Sequence, residues 1–192
     1  QYAGLLLTTR QDVELAAQLR QLYGHTLTPD QRKDLDTIRW AYSVRQTDAQ
    51  REAGNFSAAY EIAAQLLSER PNDQSAQLAL ARLYSSAGEH GRALAWYHQV
   101  IQMTTQPDVA MLVAAGGTAL QAGELAYAKA ALAAAEALAP NNPDLLSTQG
   151  RLARAQGENK RAIELLQQSQ QVSLARSQMT STGQLGISLV DY

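Results

Sequence analysis

Cysteine is absent from this chain of 192 residues. Its absence excludes disulfide bonds, thiolate catalysis and any cysteine-based zinc or iron–sulfur site. Aromatic residues are also few, at 6% of the sequence, although hydrophobic residues make up 45%. The core must therefore be built mainly from alanine and leucine, which favours closely packed helices over a β-rich fold.

Long apolar runs and an excess of charge of one sign are absent as well. No segment approaches the roughly 20 apolar residues that a membrane-spanning helix needs, so we expect no membrane insertion by this chain. The formal net charge is -2 and acidic and basic residues are interspersed, which argues against a nucleic-acid partner. Because the chain begins at Gln1, we expect it to be an excised or processed part of a longer protein.

Residues with catalytic or metal-binding chemistry are sparse and scattered. The three histidines form no His-x3-His pair and have no carboxylate at metal-ligand spacing: His25, His90 and His98. No phosphate-binding glycine loop and no Gly-x-Ser-x-Gly nucleophile motif occurs. The sequence therefore predicts no enzyme, no cofactor and no metal, and we interpret the histidines as surface or packing residues.

An internal repeat is the strongest feature that the sequence does contain. Four glycines recur at intervals of 34, 35 and 34 residues: Gly54, Gly88, Gly123 and Gly157. An alanine follows each of them five residues later: Ala59, Ala93, Ala128 and Ala162. Apolar residues return every three or four positions beside the glycines, which indicates paired amphipathic helices with a glycine at each turn. Three of the hairpins are then closed by a proline: Pro71, Pro107 and Pro140.

This pattern resembles the tetratricopeptide repeat, a helix-turn-helix unit of about 34 residues with small residues at fixed helix contacts. The resemblance implies an all-α fold, a right-handed superhelical solenoid of helix-turn-helix repeats. We expect about four units, over residues 40–73, 74–108, 109–142 and 143–177. The first unit is degenerate, because Thr47 and Gln50 stand at its small and aromatic positions.

The flanking segments depart from the repeat. Residues 1–39 are predicted to form a divergent helical hairpin, with one helix from Asp12 to Tyr23. A second helix should begin at Thr28-Pro29, an N-cap followed by proline, and run toward Ala53. Residues 178–192, with two glycines and alternating apolar residues, are predicted to be an extended or disordered tail.

The resemblance also implies where a partner would bind. In stacked repeats the first helix of each unit lines the concave face. The matching groove positions are Asp48, Arg51, Arg82, Ser85, Ser86, Gly117, Gln121, Arg151 and Arg154. The carboxylate clamp of co-chaperone members is not matched, because Leu78, Val113 and Arg82 occupy the corresponding positions. The groove would suit a peptide, a helix or a polar polymer such as a glycan; the alternative is that its arginines are solvated or structural.

A more specific resemblance is to the periplasmic repeat region of the bacterial cellulose synthase operon protein C family. It covers residues 22–35, 51–56 and 78–84 and the pair Ala87-Gly88. It implies a non-catalytic scaffold in cellulose (exopolysaccharide) biosynthesis and export across the periplasm, from a parent protein anchored in the outer membrane. The implied partners are subunits of the synthase or export complex, with the glucan chain as a further candidate. The alternative is a general protein-binding adaptor of a cytoplasmic, secretion or pilus assembly.

Overall fold

The computed structural model describes residues 2–188, with side chains described for residues 2–180. Over this range the chain forms helices and no strand, which confirms the all-α class. The helices are α1 (Tyr2–Thr8), α2 (Asp12–Tyr23), α3 (Pro29–Glu52), α4 (Phe56–Glu69), α5 (Gln74–Ser86), α6 (His90–Met103), α7 (Val109–Gln121), α8 (Leu125–Leu138), α9 (Pro143–Ala155) and α10 (Asn159–Ser188). They divide into two compact units, unit 1 (Gln1–Glu89) and unit 2 (His90–Tyr192).

Unit 1 holds helices α1 to α5. Helices α1, α2 and the first half of α3 enclose one apolar cluster: Ala3, Leu6, Leu15, Leu19 and Leu35. The second half of α3 packs against α4, and α4 against α5, around a second cluster: Trp40, Leu66 and Ala76. Helix α3 also contacts α5 directly. The first helices of two successive hairpins therefore lie side by side, as stacked repeats require.

Helix α3 begins at the N-terminal signal that the sequence predicts. The Gln31 backbone N–H donates to the Thr28 hydroxyl at 3.3 Å, and the Thr28 N–H donates to the Gln31 side chain at 3.0 Å. This reciprocal capping box satisfies two backbone donors, and Pro29 follows at the first helical position. The helix then continues to Glu52, so the predicted boundary between residues 39 and 40 falls inside a helix. The segment before this boundary also contains α1, a helix that was not predicted from the sequence.

Unit 2 holds helices α6 to α10, each of which packs against the next, and α7 also contacts α9. Its core is built from alanine and leucine, as predicted: Leu112, Ala119, Ala128, Leu132, Ala135, Leu145 and Leu152. A Cβ atom added to Gly116 would stand 2.8 Å from Leu132 Cγ, and one added to Gly150 would stand 2.9 Å from Leu166 Cγ. Glycine at these two positions therefore lets the paired helices approach closely.

The four turn glycines share one backbone conformation. Their φ angles are 78°, 80°, 81° and 80° for Gly54, Gly88, Gly123 and Gly157. This left-handed region is open to glycine at little cost, which explains why glycine recurs after the first helix of each hairpin. The helix-turn-helix repeats are thus observed within each unit, whereas the right-handed superhelical course of the whole array stays a prediction.

The C-terminal segment differs from the prediction. Helix α10 extends to Ser188, so residues 178–188 are helical rather than extended or disordered, and residues 189–192 lie outside the described part of the chain. Two glycines in this segment do not end the helix, because lengthening an existing helix costs far less than nucleating one. Between residues 2 and 188, no helix combines the length and apolar character needed to cross a bilayer.

Candidate functional site

The residues predicted to face the groove fall into two sets, one in each unit. The unit 1 set lies on α3 and α5: Asp48, Arg51, Arg82, Ser85 and Ser86. The unit 2 set lies on α7 and α9: Gly117, Gln121, Arg151 and Arg154. Because α3 contacts α5 and α7 contacts α9, each set occupies two adjacent first helices.

Asp48 is the centre of the unit 1 set. Its carboxylate accepts two hydrogen bonds from Arg82, from Nε at 2.8 Å and from Nη2 at 2.6 Å. Arg51 Nε donates to the same carboxylate at 3.3 Å, and Arg51 Nη1 donates to Ser86 Oγ at 3.2 Å. Ser85 is half-buried on the same helix as Arg82. A guanidinium fork matches the planar geometry of a carboxylate, so these side chains tie α3 to α5.

We expect Asp48→Asn to lower the free energy of unfolding by about 1 to 2 kcal/mol, because it removes the charge from a partly buried bidentate pair. Urea unfolding followed by circular dichroism measures the change. The matched control is Arg161→Gln, which breaks a pair with Glu158 whose side chains are 64% and 45% exposed. Exposed pairs contribute less than about 1 kcal/mol, so equal losses in the two variants would contradict the structural role of Asp48.

Arg151 in unit 2 has a different environment. Its Nη2 donates to Thr148 Oγ1 at 3.1 Å, while the buried Thr148 hydroxyl donates to the Asp144 carbonyl at 2.8 Å. The guanidinium lies beside Gly117, where an added Cβ would stand 3.5 Å from Arg151 Nη2. Among the described residues, neither Arg151 nor Arg154 forms an ion pair with a carboxylate. Gln121 and both arginines are exposed and can reach a ligand, whereas Gly117 is buried.

A second charged cluster in unit 1 was not predicted. Arg39 donates to Glu69 at 2.9 Å and to Asp36 at 3.0 Å, and Arg70 also pairs with Asp36. The Arg70 guanidinium lies 4.1 Å from the centre of the Trp40 ring. The hydrogen bond from Arg39 lowers the pKa of Glu69 below its usual range. Asp36 and Arg70 are 34 residues apart, one repeat, and this period is the signal that could have identified the contact.

An open groove in unit 2 was not predicted either. It is lined by Gly91, Leu94, Ala95, His98, Ala122, Glu124 and Tyr127. His98 and Tyr127 meet edge to face with ring centroids 5.6 Å apart, and burial raises the pKa of Tyr127. The side-chain nitrogen of Gln102 lies 2.8 Å from Nε2 of His98. Within the described residues, no group of three histidine or acidic side chains is placed to hold a metal ion.

Comparison with known sequences agrees with both resemblances, to the tetratricopeptide repeat and to cellulose synthase operon protein C. A family model for the tetratricopeptide repeat matches residues 50–116. Cellulose synthase operon protein C of Pseudomonas fluorescens (strain SBW25) is 33% identical over 184 residues, which is 95% of this chain. The protein of the same name from Xanthomonas axonopodis pv. citri (strain 306) is 50% identical over 100 residues, or 52% of this chain. The aligned regions span 14% and 7% of the lengths of those relatives.

Comparison with solved structures supports the fold. The structure "MamA MSR-1 C2" superposes with a TM-score of 0.64, covering 91% of this chain and 94% of that one at 12% identity. A chain of "Crystal structure of APC/C hetero-tetramer Cut9-Hcn1" superposes with a TM-score of 0.66 over 89% of this chain and 30% of that chain, at 17% identity. At these identities the likeness concerns the helical repeat fold alone.

Proposed function

Because this chain is a tetratricopeptide repeat protein that resembles part of cellulose synthase operon protein C, we propose that it is a non-catalytic scaffold in bacterial cellulose biosynthesis and export. The observation that carries the proposal is the match to the Pseudomonas fluorescens relative over 95% of the chain. A tetratricopeptide fold generally serves protein–protein interaction. The proposed partners are therefore subunits of the cellulose synthase or export complex.

The proposed location is the periplasm, with the parent protein held at the outer membrane. Support comes from the resemblance to relatives that are named for a cellulose synthase operon. The glucan chain is a second proposed ligand, because the unit 1 set offers hydroxyl and guanidinium donors and the unit 2 set offers amide and guanidinium donors. An uncharged glucan would accept hydrogen bonds from these donors through its hydroxyl, ring and glycosidic oxygens.

A segment exchange in the Pseudomonas fluorescens relative tests the proposal. The aligned region of the relative is replaced by this chain, and cellulose yield is measured together with the abundance of the chimeric protein. We expect the chimera to restore cellulose production to a strain that lacks the relative. The matched control carries the MamA repeats instead, which share the fold at only 12% identity, and this chimera should fail.

Two results of the exchange would contradict the proposal. In one, the chimera accumulates normally but produces no cellulose. In the other, the MamA chimera produces as much cellulose as the chimera with this chain, so the region is only a spacer. The first result would favour the alternative function, a general adaptor of a cytoplasmic, secretion or pilus assembly. One fold can serve many functions, so the repeat fold is compatible with this alternative as well.

A further inference from the structure

The open groove between α6 and α8 in unit 2 is large enough for a ligand. This α6–α8 groove is lined by one set of residues on α6 and another at and just before the start of α8: Gly91, Leu94, Ala95 and His98, then Ala122, Glu124 and Tyr127. The α6 residues recur every three or four positions and form one stripe along about 10 Å of the helix. The space measures about 470 Å³. Pockets that hold small ligands measure about 300 to 1,000 Å³, so the groove can hold a short segment of a ligand chain.

Small residues keep the groove open. A Cβ atom built on Gly91 meets no atom within 4 Å, and Ala95 is exposed one turn further along α6. In the preceding hairpin, α4 carries Tyr60 and Glu61 at the repeat positions of Leu94 and Ala95, 34 residues earlier. The repeat by itself therefore does not require a small residue at position 95.

A hydroxyl donor and a carboxylate acceptor lie in the groove. The side-chain nitrogen of Gln102 can only donate, and it lies 2.8 Å from His98 Nε2. His98 therefore carries its hydrogen on Nδ1 and donates it to the Tyr127 oxygen, 3.4 Å away. The hydroxyl hydrogen of Tyr127 is left for a ligand. Glu124 lies three residues before Tyr127 and makes no capping hydrogen bond, so its carboxylate can accept from the same ligand.

We propose that the α6–α8 groove binds a segment of a neutral saccharide chain. A pyranose ring has C–H bonds on its faces and hydroxyl groups around its edge. Leu94 and the edge-to-face ring pair of His98 and Tyr127 offer an apolar surface to the face of the sugar. The Tyr127 hydroxyl and the Glu124 carboxylate offer a donor and an acceptor to the sugar hydroxyls, which accept and donate. The identification of the saccharide as a glucan rests on the proposed function.

Other ligand classes fit the groove less well. An apolar helix of a partner protein would cover the Glu124 carboxylate and the Tyr127 hydroxyl without forming hydrogen bonds to them, which is unfavourable. An acidic chain would be repelled by Glu124. A neutral chain rich in hydroxyl groups forms hydrogen bonds with both side chains and brings no charge of its own.

Titration of the chain with cellohexaose, a soluble neutral glucan, tests the proposal. NMR chemical shifts of the backbone amides give the affinity and show where the sugar binds. We expect the largest shifts at Gly91, Ala95 and Glu124. Oligogalacturonate, which carries a carboxylate on each ring, should produce much smaller shifts because Glu124 repels it.

Three variants make the test specific to this groove. Ala95→Leu places a larger side chain in the groove and should weaken cellohexaose binding by at least about tenfold. The matched control is Ala130→Leu, because Ala130 holds the same repeat position on α8, 35 residues later, and lies outside the groove. Both alanines are exposed, so both variants should keep the melting temperature of the unmodified protein. Tyr127→Phe removes only the hydroxyl group and should weaken binding about two- to tenfold.

Three results would overturn the proposal. The first is that cellohexaose causes no shifts up to its solubility limit, whether or not an amphipathic helical peptide binds in the groove. The second is equal affinity of Ala95→Leu and Ala130→Leu for cellohexaose. The third is that the shifts lie at Gln121 and Arg151 and that Arg151→Gln weakens binding while Ala95→Leu does not. That outcome would place the sugar at the predicted groove positions of α7 and α9 instead.

Failure of this site and failure of the proposed function give different results. If the chimera of the Pseudomonas fluorescens relative produces cellulose but cellohexaose does not bind, the saccharide site is wrong and the scaffold proposal stands. If cellohexaose binds in the groove but the chimera accumulates without producing cellulose, the saccharide site stands and the scaffold proposal is wrong.

Discussion

Replacing Leu132 by alanine should lower the free energy of unfolding by about 2 to 5 kcal/mol, the range for deleting a buried leucine. Leu132 is 1% exposed in the unit 2 core, and its side chain fills the space above Gly116. Truncation would leave a cavity between α7 and α8 that the helices cannot fully close. Urea unfolding measures the loss, and hydrogen exchange of amides in α7 and α8 shows whether it arises in unit 2.

Two comparisons make this result specific. Leu138→Ala on the same helix removes a side chain that is 59% exposed and should cost much less. Gly116→Ala adds the methyl group that would stand 2.8 Å from Leu132 Cγ, so it should be unfavourable alone and less unfavourable beside Leu132→Ala. Residues in contact typically show coupling energies of about 0.5 to 3 kcal/mol. If the free-energy changes of Gly116→Ala and Leu132→Ala simply add, the contact between these two residues does not form as described.

Ala128→Leu should lower the free energy of unfolding by about 1 to 3 kcal/mol, the usual cost of overfilling a packed core. Ala128 is fully buried five residues after the turn glycine, and its carbonyl oxygen lies 3.5 Å from a Cβ built on Gly116. The backbones of α7 and α8 are therefore too close for a larger side chain. Thermal unfolding of the purified chain measures the effect.

Ala130→Leu is the matched control for this prediction. Ala130 lies on the exposed side of the same helix, and both substitutions exchange alanine for leucine with little change in helix propensity. We expect the control to retain nearly the stability of the unmodified protein. A loss at Ala130 as large as the loss at Ala128 would mean that the repeat register places the wrong alanine in the core.

The repeat could be predicted from the sequence because its signals are local. A glycine at each turn is required by positive φ, and Thr28-Pro29 begins a helix through contacts within one turn. The period then identifies which helices are equivalent. The same reasoning places Ala128 at a helix contact, and the core of unit 2 confirms it.

Other features depend on contacts that the sequence does not display. Helix α1 has seven residues, too few to be stable alone, and its Leu6 is buried by residues far along the chain. The pairing of Asp48 with Arg82 requires α3 to lie beside α5. The sequence places both residues in the groove but leaves open whether they face a ligand or each other. Their binding role stays a prediction.

The uninterrupted course of α3 decides where this region can be divided in protein engineering. The helix is about 36 Å long and carries Leu35 into one apolar cluster and Trp40 into the next. A junction at residue 40 would separate these two anchors and discard the capping box at Thr28. Segment exchanges and shortened versions should therefore be joined in the loop between Tyr23 and Thr28, where no helix is cut.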